Sequence, residues 1–232
     1  MIYLVIEEVQ IDEDSRIIVS DDEAKYLLRV RRLNPGDEVF FCSNGEEYRT
    51  ELEMDGKEPR FKIMNKKDRK SSSVNIIAAI AVTDINSVEE SIRNGVEAGV
   101  DEFLFFRAQF SNMSVTQIEK RMKRIRTIIV SASSQSRRGH LPEISISTID
   151  DIAEKQAEHI VLHPYSPENI MDYEVSDKYD KVLWVGPEGG FSEEEFEFFK
   201  EKKFKIYSLK TPILRTENAV TFLSAFVKNI TY

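Results

Sequence analysis

Lys181-Val-Leu-Trp-Val-Gly-Pro-Glu-Gly-Gly-Phe-Ser-Glu-Glu-Glu195 is the stretch that decides the fold of this chain, and Leu209-Lys-Thr-Pro-Ile-Leu-Arg-Thr-Glu-Asn-Ala219 follows it closely. In each stretch, a run typical of a buried strand leads into a tight loop, and an amphipathic helix begins after the loop. In open α/β sheets, ligands bind beyond the carboxyl ends of the strands. If the two strands are neighbours, the loops form two walls of one pocket.

The first loop does not match the common phosphate-binding loops. It lacks the Gly-Lys-Ser/Thr ending that holds a triphosphate, and Pro187 removes one backbone donor. Three glycines remain that let the backbone approach a ligand, together with one carboxylate, Glu188. Ser192 and Glu195 predict a capping box for the next helix, and Phe191 is placed to pack on Phe196 as a hydrophobic staple. An ordinary strand-to-helix turn is the alternative interpretation.

The second loop places Arg215 at a predicted helix start, with Thr216 as the N-cap and Glu217 beside it. An arginine is unfavourable there because the amino end of a helix is itself electropositive. A bound anion or an electron-rich base would explain its presence. The alternative is a surface ion pair with Glu217 or Glu188, which contributes little to stability.

Composition indicates a globular chain. The 232 residues are 41% hydrophobic, and no apolar run approaches the length of a membrane span. One cysteine, Cys42, excludes an internal disulfide and is expected to be buried, which favours a reducing cytoplasm. His159 and His163 flank a strand-like run without an acidic partner, so we expect no metal site.

The net charge is −9, but lysine and arginine are concentrated in residues 60–70 and 119–138. Acidic residues lie elsewhere, so the chain can present a basic face to phosphates. A solvated helix face is the alternative interpretation of these runs.

The order of strand-like and helical patterns predicts two domains, residues 1–70 and 71–232. The first is β-rich, with Ser43-Asn-Gly45 as a hairpin turn, a helix from Ser20 to about Asn34, and a compact barrel or sandwich form. Lys66 to Ser73 is the best linker candidate. In the second, strands alternate with helices, including a long helix over 115–134, which predicts a mostly parallel α/β sheet.

Read together, the two C-terminal stretches resemble the ribosomal RNA small subunit methyltransferase E family of the SPOUT superfamily. The likeness covers Gly186 to Glu195 and Ile213 to Ala219 nearly residue for residue. It extends to Val30-Arg-Arg-Leu-Asn-Pro-Gly-Asp37, Val96-Glu-Ala-Gly-Val100 and Ser134-Gln-Ser-Arg-Arg138.

This resemblance implies a PUA-like, barrel-type N-terminal domain and a C-terminal α/β domain tied in a trefoil knot. It also implies a cytoplasmic homodimer that binds S-adenosylmethionine, needs no metal or membrane, and acts on small-subunit rRNA or the small ribosomal subunit. The implied cofactor-binding residues are Leu162, His163, Gly186, Glu188, Gly190, Leu209, Ile213, Leu214, Thr216 and Ala219.

The family's reaction is methylation of N3 of a uridine in small-subunit (16S) rRNA. N3 is a poor nucleophile until its proton leaves, so the site needs a base or a cation that favours the uridine anion. Arg215 suits the second role, and Glu188, Glu217 and water are candidates for taking the proton. The arginines Arg29, Arg32, Arg137 and Arg138 are the expected RNA-binding residues.

The chain departs from the family pattern at six positions, several of which the resemblance places on the substrate side: Tyr26, Arg31, Asn94, Phe110, Ser134 and Arg137. The family has an arginine near Phe110, a role that Arg107 or Arg137 could take over. Two alternatives therefore stand beside the first hypothesis: methylation of a different RNA target, and a ribosome-binding homologue without catalysis.

Overall fold

The computed structural model describes residues 2–69, 74–176 and 178–231, and these form two compact units. The first unit contains the described residues up to 69 together with Ser133–Leu141. The second contains residues 74–132 and the described residues from Pro142 onward. No helix within these described ranges is both long and apolar enough to cross a membrane.

The first unit is built on one six-stranded sheet in the order β1-β4-β5-β6-β3-β2. Strands β1 and β4 are parallel, and the other neighbouring pairs are antiparallel. The elements are β1 (Ile2–Val5), β2 (Gln10–Ile11), β3 (Arg16–Ile18), α1 (Asp21–Lys25), a π-helical turn (Tyr26–Val30), β4 (Glu38–Ser43), β5 (Glu46–Asp55) and β6 (Glu58–Asp68).

Local sequence signals explain most of this unit. Ser20 and Glu23 form a capping box at the start of α1. Asn44 and Gly45 adopt positive φ angles of 48° and 80°, which these two residue types tolerate, so the predicted hairpin turn is confirmed. The helix predicted to run to about Asn34 is wrong at its end, because the π-helical turn ends at Val30 and Arg32 has a positive φ of 56°.

Residues 133–141 belong to the first compact unit, although the predicted boundary at residue 70 leaves them in the second domain. The amide of Val5 donates to Ser134 Oγ at 2.9 Å, and the amide of Gly45 donates to the carbonyl of Gly139 at 2.9 Å. Arg69 Nη1 also donates to the carbonyl of Arg137 at 2.6 Å. These bonds join the segment to the first unit although it is distant in sequence.

The second unit is built on a six-stranded sheet in the order β12-β10-β11-β7-β8-β9, in which every described neighbouring pair is parallel. Its elements are β7 (Ile76–Ala81), α2 (Ile85–Glu97), β8 (Glu102–Phe106), α3 (Val115–Glu119), α4 (Met122–Gln135), β9 (Glu143–Ile146), α5 (Ile149–Ala153), β10 (Glu158–Leu162), a 3-10 turn (Ile170–Asp172), β11 (Lys181–Val185), α6 (Glu193–Glu201), β12 (Lys205–Tyr207) and α7 (Thr216–Ile230).

The parallel α/β prediction is confirmed. Every residue of the central strands β7 and β11 is buried, as expected for strands that are covered on both faces. The predicted long helix is wrong as one element, because it divides into α3 and α4, and strand β9 was not predicted. Of the predicted linker, Lys66–Asp68 belong to β6, whereas residues 70–73 lie outside the described residues.

Candidate ligand-binding cleft

A cleft of about 500 Å³ lies at the carboxyl ends of three neighbouring strands of the second unit. Strand β10 lies between β11 and β12, so the loops that follow these three strands meet at one edge of the sheet. The volume falls within the range of about 300–1,000 Å³ that is usual for small-molecule sites. The sequence prediction that the two C-terminal loops wall one pocket is therefore confirmed, but the two strands they follow are not neighbours, because β10 lies between them.

All ten residues predicted to bind a cofactor line this cleft. They are Leu162, His163, Gly186, Glu188, Gly190, Leu209, Ile213, Leu214, Thr216 and Ala219. The side chains of Arg215 and Glu217 are not among the lining residues, although both adjoin Thr216 in sequence. Sequence reasoning did not include Tyr165 and Val185, which also line the cleft.

The glycine wall is a turn fixed at both ends. The amide of Gly190 donates to the carbonyl of Pro187 at 2.8 Å, and Gly190 has a positive φ of 74°. Beyond the turn, Ser192 and Glu195 form the predicted capping box of α6. The prediction that Phe191 packs on Phe196 is corrected. The ring of Phe191 packs edge-on against the ring of Phe199, with 4.9 Å between the ring centroids.

The second wall is joined to the first by a hydrogen bond. Thr216 Oγ1 donates to the carbonyl of Gly186 at 3.1 Å. The N-cap of α7 is Arg215, without a side-chain capping bond, so the prediction of Thr216 as N-cap is wrong. Its hydroxyl instead contacts the facing loop.

Arg215 and Glu217 differ in exposure. The Arg215 side chain is exposed and forms no ion pair with any described carboxylate, which excludes the surface pair with Glu188 or Glu217 in this part of the chain. Glu217 is only 6% exposed, and its Oε2 atom has no hydrogen-bond partner among the described residues. The start of α7 beside the cleft thus carries an exposed cation, unpaired among the described residues, and an enclosed carboxylate.

His163 forms the third side of the cleft. Its ring stacks on Phe196 at 4.3 Å, and its Nδ1 accepts a hydrogen bond from the amide of Tyr165 at 3.3 Å. Burial, and then the nearby positive charge of Lys200, lower the pKa of His163. The lowered pKa favours the neutral imidazole, and acceptance of the hydrogen bond at Nδ1 favours the tautomer with its proton on Nε2.

The remaining candidate groups are structural. Burial lowers the pKa of His159, whose Nδ1 accepts a bond from Trp184 Nε1 at 3.1 Å while its Nε2 lies 3.1 Å from the carbonyl of Lys155. Cys42 is buried as predicted, and burial raises the pKa of its thiol. Within the described ranges, no three His, Cys, Asp or Glu side chains are grouped to hold a metal ion.

The four predicted RNA-binding arginines all belong to the first unit. Arg29 and Arg32 are exposed at the end of the π-helical turn and just after it. Arg137 is exposed in the segment 133–141, and Arg138 follows it, half-buried, with one guanidinium nitrogen 3.2 Å from His140 Nε2.

The basic run before residue 70 is largely neutralised. Lys66 pairs with Glu46 at 2.6 Å and Lys67 with Glu47 at 2.9 Å across the β5–β6 hairpin. Arg60 pairs with Glu58 at 2.6 Å. The expectation of a strongly basic face here is wrong, because acidic residues of the hairpin stand beside the lysines and arginines.

Comparison with known proteins identifies the class. A family model described as "RNA methyltransferase domain" matches residues 70–228, and one described as "RNA methyltransferase PUA domain" matches residues 19–64. The first match covers more than half of the chain, which therefore belongs to the RNA methyltransferase family and is an enzyme of the methyltransferase class.

A curated relative shows which kind of RNA methyltransferase this chain resembles. The ribosomal RNA small subunit methyltransferase E of Aquifex aeolicus is 29% identical over 217 residues, which cover 92% of this chain and 94% of the relative. This confirms the resemblance drawn from the sequence motifs.

Solved structures support the fold. A ribosomal RNA small subunit methyltransferase E from Neisseria gonorrhoeae, bound to S-adenosyl methionine, is similar with a TM-score of 0.87 and 21% identity, over 99% of this chain and 98% of that one. A putative methyltransferase from Legionella pneumophila, in complex with the cofactor SAM, gives a TM-score of 0.86 at 22% identity, over 98% and 97%. The α/β fold with a PUA-like N-terminal domain is thereby established.

Proposed function

We propose that this protein transfers a methyl group from S-adenosylmethionine to N3 of a uridine in small-subunit (16S) rRNA. The observation that carries the proposal is the single cleft formed by the loops after β10, β11 and β12. Membership of the RNA methyltransferase family supplies the reaction class. The cofactor and the target atom are inferences from the residues of the cleft and from its relatives.

The cleft suits a nucleoside cofactor without phosphates. Its walls are mostly apolar. We assign Leu162, Val185 and Leu214 to contact with the adenine ring, and Gly186 and Gly190 to close approach of the backbone. None of the described residues that line it is a lysine or an arginine. Glu188 supplies a negative charge that favours a cationic sulfonium.

We assign Arg215 the stabilisation of negative charge on the uridine. When bound, S-adenosylmethionine supplies a methyl group on a positively charged sulfur, so the protein has to make N3 nucleophilic. N3 reacts after losing its proton, which leaves negative charge on the uracil ring. An exposed guanidinium without an ion-pair partner among the described residues is available to stabilise that charge.

Glu188 is the better placed of the two candidate proton acceptors. It is exposed and lines the cleft, whereas Glu217 is buried and does not. A base has to reach the proton directly or through one water molecule. We therefore assign proton removal to Glu188, directly or through water. We assign Glu217 a supporting role in the first turn of α7, next to Thr216.

The same proposal includes the RNA-binding residues, the knot, the localisation and the oligomeric state. The first unit, with Arg29, Arg32, Arg137 and Arg138, would hold the rRNA or the assembled small subunit. We also propose a trefoil knot around the C-terminal segment and a cytoplasmic homodimer. In support of the knot, α7 returns from the edge strand β12 to pack against α2, β7 and β11.

The proposal is tested by deleting the gene and mapping the masses of both rRNAs and of tRNA. We expect one methyl group to disappear from a uridine of small-subunit rRNA and to return with the intact gene. Loss of a methyl group from another RNA would replace the target. An unchanged methylation pattern, with undetectable cofactor binding and retained RNA binding by the purified protein, would favour the ribosome-binding alternative.

A further inference from the structure

Phe110 is an exposed aromatic residue that covers the glycine turn from outside the cleft. Its side chain is 47% exposed. A Cβ atom built on Gly189 would lie 3.2 Å from Phe110 Cβ and 3.6 Å from its Cγ, so the aromatic side chain stands directly beside this glycine. Gly189 lines the cleft and Phe110 does not. Phe110 therefore borders the glycine wall of the cleft and is exposed to solvent.

The turn that carries Phe110 is held by hydrogen bonds. The amide of Ala108 donates to Ser111 Oγ at 3.0 Å, and the amide of Ser111 donates to the carbonyl of Ala108 at 3.1 Å. The amide of Gln109 donates to Glu195 Oε1 at 2.8 Å. Glu195 also caps α6, so the Phe110 turn and the glycine turn are tied to the same helix start.

Charge around this turn favours an uncharged ligand group over a phosphate. Arg107 is exposed and borders an open depression of about 610 Å³ that is also lined by Asp150, Asp151 and Glu195. Three carboxylates beside one arginine repel the phosphates of an RNA backbone, because proteins bind that backbone through positive charge. A nucleobase is neutral and has an aromatic face, which stacks on exposed aromatic side chains.

We propose that Phe110 stacks on the uracil that receives the methyl group. This inference rests on the proposed function and adds the residue that holds the base beside the cleft. Stacking would then take the place of the arginine expected near this position, while Arg107 borders the depression that Asp150, Asp151 and Glu195 also line.

The first test compares Phe110→Ala with Phe110→Trp, which keeps an aromatic face. Loss of one stacked base corresponds to roughly a 5- to 150-fold effect, so kcat/KM for small-subunit rRNA should fall about tenfold or more in the alanine variant. The tryptophan variant should remain close to wild type, and both should bind S-adenosylmethionine normally. Tyr179→Ala is the control, because Tyr179 is 57% exposed and precedes β11 at the end opposite the cleft.

Two results would overturn the inference: kcat/KM of Phe110→Ala within twofold of wild type, or an equal loss in Phe110→Trp. A second measurement does not need methyl transfer. Small-subunit rRNA containing 5-iodouridine, irradiated in complex with the protein, should give an adduct on Phe110, and adducts only at other residues would refute stacking. If the wild-type protein transfers no methyl group, the proposed function is refuted. The photochemical adduct alone then tests whether Phe110 stacks on uracil.

Discussion

Thr216 Oγ1 donates a hydrogen bond to the carbonyl oxygen of Gly186 at 3.1 Å, although 30 positions separate the two residues. The bond ties the first residue of α7 to the loop that follows β11. The two stretches that stand out in the sequence are thereby held as facing walls of one cleft.

Thr216→Val removes this bond while keeping the shape of the side chain. We expect the free energy of unfolding to fall by about 1 kcal/mol, the usual net value of one hydrogen bond. The affinity for S-adenosylmethionine should fall several-fold, because the walls lose their link. Denaturant unfolding and calorimetric titration measure the two effects. Thr221→Val is the control, since Thr221 Oγ1 bonds only within its helix, to the carbonyl of Glu217 at 2.7 Å; equal cofactor affinities in the two variants would contradict the prediction.

Gly190→Ala tests the glycine turn. Gly190 has a φ of 74° and no heavy atom within 4 Å of an added Cβ, so the cost is conformational, about 1 kcal/mol. Gly36 has a φ of 91° and is equally open, but it belongs to the first unit. Both alanine variants should unfold at slightly lower temperatures, and only Gly190→Ala should bind S-adenosylmethionine more weakly. Loss of binding in both, or in neither, would count against the assigned turn.

Arg215→Ala should reduce methyl transfer at least 100-fold in single-turnover assays, because the developing charge on uracil loses its cation. Cofactor affinity, measured by calorimetry, should change little, since the Arg215 side chain does not line the cleft. Arg93→Ala, which removes an exposed arginine from α2, is the control. Full activity of Arg215→Ala would remove this residue from the mechanism.

Arg69→Met tests how the segment 133–141 is held. Arg69 Nη1 donates to Tyr3 Oη and to the carbonyl of Arg137, both at 2.6 Å. Without these bonds we expect rRNA affinity to fall several-fold, because Arg137 and Arg138 lose their fixed positions, while cofactor affinity stays unchanged. Arg49→Met, which breaks only an exposed pair with Glu38, is the control. Unchanged rRNA binding by Arg69→Met would show that the segment needs no such support.

Glu158→Gln tests the ion pair at the amino ends of β10 and β11. Burial by itself would raise the pKa of Glu158, but hydrogen bonds from Lys181, Lys205 and Tyr173 outweigh it and lower the pKa below the ordinary value of 4.5. The substitution leaves Lys181 buried without its carboxylate, which should reduce stability by about 3 kcal/mol at pH 7.

The pH dependence of this effect has a definite sign. A carboxylate with a lowered pKa stabilises the fold above its unfolded pKa, and the stabilisation is lost as the pH falls through the folded pKa. The difference between wild type and Glu158→Gln should therefore shrink as the pH falls below about 4.5. Glu154→Gln, which breaks an exposed pair with Lys202, should show little difference at any pH. A difference for Glu158→Gln that stays constant down to pH 3 would contradict the assignment.

The sequence predicted those parts of the fold that local chemistry controls. The hairpin at Asn44 and Gly45, the Ser192 capping box and the buried run of β7 are each determined by neighbouring residues. The walls of the cleft could be predicted because both loops follow strands of one parallel sheet.

The remaining features depend on partners that are distant in sequence. The place of residues 133–141 depends on Arg69, Gly45 and Val5, which no local pattern connects to that segment. The basic run before residue 70 suggests a surface for phosphates, but the hairpin register places Glu47 opposite Lys67, and Glu46 reaches Lys66 diagonally. Threonine is a common N-cap residue, but the hydroxyl of Thr216 donates its hydrogen bond to the carbonyl of Gly186 in the facing loop.

The most direct test of the proposed reaction is methyl transfer from labelled S-adenosylmethionine to small-subunit rRNA or small subunits isolated from a deletion strain. We expect the purified protein to place one methyl group on N3 of a single uridine, and Arg215→Ala to place none in the same time. A label on another atom or another RNA, or no label at all with a protein that binds the cofactor, would contradict the assigned reaction.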